Sequence, residues 1–221
     1  MTAAPGAAER LRHLQAQLPP SARLLAVSKG QSADAMRTLV ALGQRSFGES
    51  RLQEATLKQQ ALADVEPLDW HFIGHLQANK VRPVLQRFGT IHSLDSLALA
   101  ERLARIAAEE QCSPEVFLQV KLRPDPAKGG FEPQELRRLW PQLQQLAPLR
   151  LTGLMVMAPL GLEPAERQAL FREGAALAGE LGLRELSMGM SGDWPEAAAA
   201  GSTWVRIGSA LFGQRSSAAT I

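Results

Sequence analysis

Eight short apolar or β-branched runs recur along this 221-residue chain, separated by stretches with helical spacing. The runs lie at 22–29 ("ARLLAVSK"), 45–49, 70–74, 90–95, 115–122, 149–158, 185–191 and 203–208. Between them, segments 32–43, 95–111, 133–146 and 164–182 repeat apolar residues at i, i+3 and i+4, with Ser32 or Asp95 as caps and Pro141 interrupting the third. Strands that alternate with helices pair in parallel, because a crossover helix returns the chain to the same end of the sheet. Eight such units suit a closed (β/α)8 barrel, a TIM-type α/β fold. An open doubly wound sheet is the rival arrangement. Residues 6–18 predict an extra N-terminal helix that stops at Pro19-Pro20. No Gly/Ser linker or charged block divides the chain, so residues 1–221 read as one domain with a disordered tail from about residue 214.

Several function classes are disfavoured by composition. The net charge is only +2, basic residues are scattered, and aromatic residues are 5% of the total, so a nucleic-acid platform is not expected. Cys112 is the single cysteine, which rules out an intrachain disulfide and a thiolate metal cluster. His13, His71, His75 and His92 lack helical metal-ligand spacing, and no metal site is expected. The most apolar run, 151–162, is broken by glycine and proline and falls short of a membrane span. A cytoplasmic monomer is the expected state, with no membrane partner.

In a barrel of this kind, chemistry gathers where the strands end. Lys29 ends the first run in phase with Leu25 and Val27, so a buried amine is expected there. Burial lowers an ammonium pKa and frees a nucleophile able to condense with an aldehyde. The plainer alternative is an ion pair with Glu49. Lys58, within "RLQEATLKQQ", reads as a solvated helix residue. After the seventh run, Ser191-Gly192 precedes a helix expected to be capped by Asp193 and boxed by Glu196. After the eighth, Gly208-Ser209 opens a final short helix. Paired small, hydroxyl-bearing turns at this position of a barrel suit a phosphate. Arg206, in phase with Trp204, either forms a buried salt bridge or faces a ligand acceptor such as a ring nitrogen. Amine, phosphate turns and arginine together describe pyridoxal 5′-phosphate.

Six motifs then carry a resemblance. "AVSK" (26–29), "FGES" (47–50), "WHFIGHLQANK" (70–80), "LRLTGLM" (149–155), "LSMGMSGD" (186–193) and "GSTWVRIGSALFG" (201–213) resemble the pyridoxal phosphate homeostasis proteins. These are single-barrel relatives of the alanine racemase N-terminal domain, of the fold-type III pyridoxal-phosphate class. The resemblance implies that Lys29 carries the cofactor as an internal aldimine. It implies that Ser191, Gly208 and Ser209 hold the phosphate and that Arg206 meets the pyridine nitrogen, with Ser50, Met157 and Ser187 also at the site. The family usually has asparagine where Ser50 stands, threonine where Ser209 stands, and lysine followed by serine or threonine near Lys128.

Three functions compete at this level. The resemblance implies a carrier that takes part in vitamin B6 and amino-acid homeostasis without turnover, with pyridoxal-phosphate-dependent enzymes as recipients. A racemase needs an acid–base group on each face of the substrate carbon. The related racemase takes one of these from a tyrosine in a second domain, and this chain contains no tyrosine. A Schiff-base aldolase acting on a phosphorylated sugar would also use the lysine and the phosphate turns.

Overall fold

The computed structural model describes residues 6–125 and 129–213. The expected tail from about residue 214 and Lys128 lie outside them. The first half runs α1 (Ala7–Gln17), β1 (Arg23–Val27), α2 (Ala33–Val40), β2 (Ser46–Glu49), α3 (Leu52–Ala61), β3 (Asp69–Phe72), α4 (Val81–Leu85), β4 (Thr90–Leu94) and α5 (Leu97–Glu109). The second runs β5 (Glu115–Val120), α6 (Pro133–Leu143), β6 (Arg150–Val156), α7 (Pro164–Glu180), β7 (Glu185–Ser187), α8 (Trp194–Ala199), β8 (Trp204–Ile207) and α9 (Ser209–Phe212). The eight strands are parallel, pair in sequence order and close β8 onto β1, so the barrel and not the open sheet is the fold.

Period-two alternation sorts the strand residues into two layers. Leu24, Ala26, Phe47, Val205 and Ile207 face outward and pack with Leu11 and Leu14 of α1 and Met36 and Leu39 of α2. Phe72, Ile91, Val116, Leu118, Leu154 and Val156 do the same beneath the helices from α4 to α7. The opposite phase fills the barrel, where Leu25, Phe117, Met155 and Trp204 form a separate small cluster. Burial on both faces explains why the strand runs are almost continuously apolar. The extra N-terminal helix also seals the closure seam: Arg10 Nε donates to the Leu211 carbonyl of α9 at 2.6 Å.

Helix starts follow their chemistry unevenly. Ser32 caps α2, its Oγ accepting the Ala35 N–H at 3.2 Å. Asp95 does not cap α5; Ser96 holds that position without a side-chain bond, and the Asp95 carboxylate lies 3.5 Å from His75. Pro141 does not interrupt α6, since it falls in the last turn and the helix runs on to Leu143.

The strands are shorter than the runs that announce them, most of all at the carboxyl end of the barrel. β7 stops at Ser187, although the apolar run reaches 191. Gly189 turns the chain there with φ +87°, and a Cβ at that position would lie 2.7 Å from the Ala197 Cβ. The remainder of each run becomes the loop that carries the site.

Candidate cofactor site

A cavity of about 520 Å³ opens at the carboxyl ends of β1, β6, β7 and β8, within the size range of small-molecule sites. Ile73, Met155 and Met157 give it apolar walls; Lys29 and Arg206 bring two cationic side chains to its lining, and Ser191, Gly208 and Ser209 line it from the β7 and β8 turns. Lys29, Met157, Ser191, Arg206, Gly208 and Ser209 therefore converge on one cavity. Ser50 does not line it; it borders a smaller adjoining cleft with Lys29, Gly30, Arg51 and Glu54. Ser187 is buried beneath Arg206 and reaches the cavity only through it. His75 is exposed and is absent from the cavity lining.

Lys29 follows β1 by two residues and is exposed, which overturns the expectation of a buried amine. The alternative, an ion pair with Glu49, also fails, because Lys58 has taken that carboxylate. Lys58 is buried, contrary to its reading as a solvated helix residue. Its Nζ donates to Glu49 Oε1 at 2.7 Å, to Glu54 Oε1 at 2.6 Å and to the Ser28 carbonyl at 2.6 Å. Ser28 Oγ also donates to Glu49 Oε1 at 2.7 Å, and the Gly30 N–H donates to Glu54. Both chain neighbours of Lys29 are thus clamped from behind, and Gly30 makes the turn with φ +72°. The amine itself has no ion-pair partner among the described residues. The sequence motif "SKG" is therefore a hydrogen-bonded serine, a projecting lysine and a left-handed turn. Burial pushes the Glu49 carboxyl above its ordinary value, against the opposing pull of Lys58 and Ser28, and its Oε2 is buried without a partner.

Arg206 is set in the opposite manner. It is buried inside β8 and has no carboxylate partner among the described residues, which removes the salt-bridge reading. One terminal nitrogen donates to the Ser187 carbonyl and, at 2.8 Å, to Ser187 Oγ; the other donates to the Val156 carbonyl at 3.0 Å. Burial pulls its pKa down to about 10, so it remains a cation at neutral pH.

The β7 and β8 turns are stitched together by Ser191, whose Oγ accepts the Gly208 N–H at 3.3 Å and the Ala210 N–H at 3.2 Å. That leaves the Ser191 hydroxyl hydrogen available to a ligand, beside the Ser209 hydroxyl. Asp193 does not form the expected capping box. Its Oδ1 instead accepts the Met190 N–H at 2.6 Å and holds the β7 turn closed, while Glu196 pairs with Arg167. Sequence reasoning also missed a polar line inside the barrel, formed by Asp69, His71, His92 and Ser187. Its signal was present in the alternation, since His71 and His92 occupy inward-facing strand positions.

The alanine racemase N-terminal domain family model matches residues 7–216. A pyridoxal phosphate homeostasis protein of Synechocystis sp. is 49% identical over 206 residues, 90% of this chain and 94% of that protein. One from Pseudomonas aeruginosa is 45% identical over 199 residues, covering 89% and 86%. Among solved structures, PipY of Synechococcus elongatus with PLP bound superposes with a TM-score of 0.90 at 54% identity, covering 94% of this chain and all of that one.

Proposed function

Because the chain belongs to the pyridoxal phosphate homeostasis proteins, within the alanine racemase N-terminal-domain family, we propose that it binds pyridoxal 5′-phosphate as a Schiff base on Lys29. The observation that carries this is the convergence of an unpaired amine, a buried guanidinium and two hydroxyl-bearing turns on one apolar-walled cavity. The residues fit the group. The cavity is large enough for a substituted pyridine, the Ser191 and Ser209 hydroxyls suit a phosphate, and Arg206 offers a donor to the ring nitrogen. The cofactor supplies an aldehyde, which condenses with a primary amine and releases water.

The chain's own residues then divide the work. Lys58 and Glu54 hold the backbone on either side of Lys29, and Glu49 holds the Ser28 hydroxyl, so the amine is presented by a fixed turn. Ile73, Met155 and Met157 shield the flat faces of the ring. Arg206 faces the ring nitrogen as a permanent donor, which keeps a proton off that nitrogen and weakens the ring as an electron sink. With no tyrosine in the chain to act on the second face of an amino acid, the site suits storage and exchange better than turnover. Pyridoxal-phosphate-dependent enzymes are the recipients of this exchange.

The test is direct. The purified protein should absorb visible light, and borohydride should fix the cofactor's mass on Lys29. Lys29→Ala should lose the label entirely while keeping its melting temperature. A colourless protein, or a label on Lys80 or Lys121, overturns the assignment. Incubation with L-alanine in deuterated water should leave the α-carbon unexchanged; catalytic exchange would restore the racemase reading.

A further inference from the structure

The barrel interior of most (β/α)8 proteins is filled by branched aliphatic side chains. Here four polar side chains cross it in one unbroken line. Asp69 Oδ2, at the start of β3, lies 2.6 Å from His71 Nε2, and Ser46 Oγ also donates to it at 3.0 Å. His71 Nδ1 lies 2.8 Å from His92 Nε2 of β4, and His92 Nδ1 lies 2.8 Å from Ser187 Oγ of β7. Ser187 Oγ in turn accepts from Arg206. The imidazoles are held by aromatic neighbours: Phe117 stacks on His92 at 4.3 Å, and Trp204 meets His71 edge-on at 4.7 Å. Only the Asp69 end reaches solvent, with 46% of its side chain exposed against 2% for His71.

The two ends of the line fix the direction of every bond between them. A guanidinium only donates and a carboxylate only accepts, whereas a hydroxyl and a neutral imidazole each do both. Asp69 takes the His71 Nε2 hydrogen, which leaves Nδ1 of a neutral His71 as an acceptor for the His92 Nε2 hydrogen. His92 Nδ1 then accepts the Ser187 hydroxyl hydrogen, and the Ser187 oxygen keeps its lone pairs for Arg206. Each group is satisfied, and every hydrogen points from Arg206 toward Asp69. Complete burial beside Arg206 and His71 holds His92 neutral, as this arrangement requires. The reverse order would need a cationic His71 and would aim two donors at Ser187, with its own hydrogen left to find another acceptor.

We propose that Asp69, His71, His92 and Ser187 form a one-directional hydrogen-bond relay that positions Arg206, so that a carboxylate at the far end of the barrel sets how the guanidinium meets the ligand. The part concerning the ligand rests on the cofactor reading above; the relay itself does not. These four are positioning residues. None touches the cavity, and each acts through its neighbour on Arg206.

The relay is tested by nitrogen-15 NMR of ligand-free protein labelled at histidine and arginine. Both imidazoles should carry their hydrogen on Nε2, with Nδ1 accepting. Asp69→Ala should shift the His71, His92 and Arg206 side-chain signals together, and Asp69→Asn, which restores an acceptor without the charge, should recover part of that shift. Titration with pyridoxal phosphate should show Asp69→Ala weakened about tenfold, the equivalent of one charge-assisted hydrogen bond. His92 protonated on Nδ1, or an Asp69→Ala change confined to His71 with Arg206 unmoved, overturns the relay. If neither Asp69 variant folds, Ser187→Ala should move both His92 and Arg206, and stillness at either overturns it equally. A wild-type protein that shows the tautomer pattern yet ignores pyridoxal phosphate overturns the cofactor reading alone.

Discussion

The two cations that line the cavity are supported by opposite means. Lys29 projects from a turn whose flanks are clamped, and its amine is free. Arg206 is locked by three hydrogen bonds and buried within a strand. The difference matches two tasks. An amine that must form and release a covalent bond needs a fixed base and a mobile end. A guanidinium that must present one donor at one place needs its entire length immobilised. Fixed charge is costly to bury, and Arg206 meets that cost with carbonyls and a hydroxyl in place of a carboxylate. No carboxylate among the described residues is bonded to it, and Asp193 acts on it only through space.

The contrast can be broken from the Lys29 side first. Lys58→Met leaves Glu49 buried without its cation and should destabilise the fold by about 3 kcal/mol in chemical denaturation. The same variant should slow borohydride-trapped labelling of Lys29, because the turn beneath the amine loses its support. Pairing it with Glu49→Gln should recover much of the stability; no recovery would mean that Lys58 acts by packing alone. On the Arg206 side, Ser191→Ala removes the oxygen that joins the Gly208 and Ala210 N–H groups and should cost about 1 kcal/mol of cofactor affinity, roughly fivefold by titration.

A smaller effect concerns acid. Burial alone would raise the Asp69 carboxyl, but the hydrogen bond and charge of His71, the Ser46 hydroxyl and the charge of Arg23 together outweigh it and hold the group below its ordinary 3.8. A depressed carboxylate contributes stability that is complete above its unfolded value and fades as pH falls through the lower folded one. Asp69→Asn should therefore lower stability near neutrality, where the charged group contributes fully, and flatten the acid limb below about pH 4, so that the two stability–pH curves converge in acid. An unaltered acid limb would show that His71 and Ser46 do not hold this carboxylate in its charged form.

How much of this was legible beforehand follows the range of the interactions. Strand–helix alternation is local, and all eight strand runs correspond to strands of the barrel. The cavity at the β7 and β8 turns was legible for a similar reason, since hydroxyl-bearing turns after successive strands fall on one rim. Lys29 was placed correctly in sequence but wrongly in depth. Period two gives the face of a side chain, yet β1 ends at Val27 and the phase says nothing about a residue already in the turn. Lys58 was misread because helix α3 lacks a clear apolar stripe, and its burial depends on Glu49, which arrives from another element. Asp193 does stand at the N-cap position of α8, but its carboxylate bonds the Met190 N–H of the preceding turn and not the helix, so the expected capping box is absent. The histidine line needed three strands brought side by side, and nothing in spacing along one chain reports which inward positions will touch.

Closure of β8 on β1 has a consequence for biosynthesis. The lysine emerges from the ribosome long before the arginine and the second hydroxyl turn. No nascent fragment can assemble the pocket, so capture of a reactive aldehyde would certify that translation has passed the final strand.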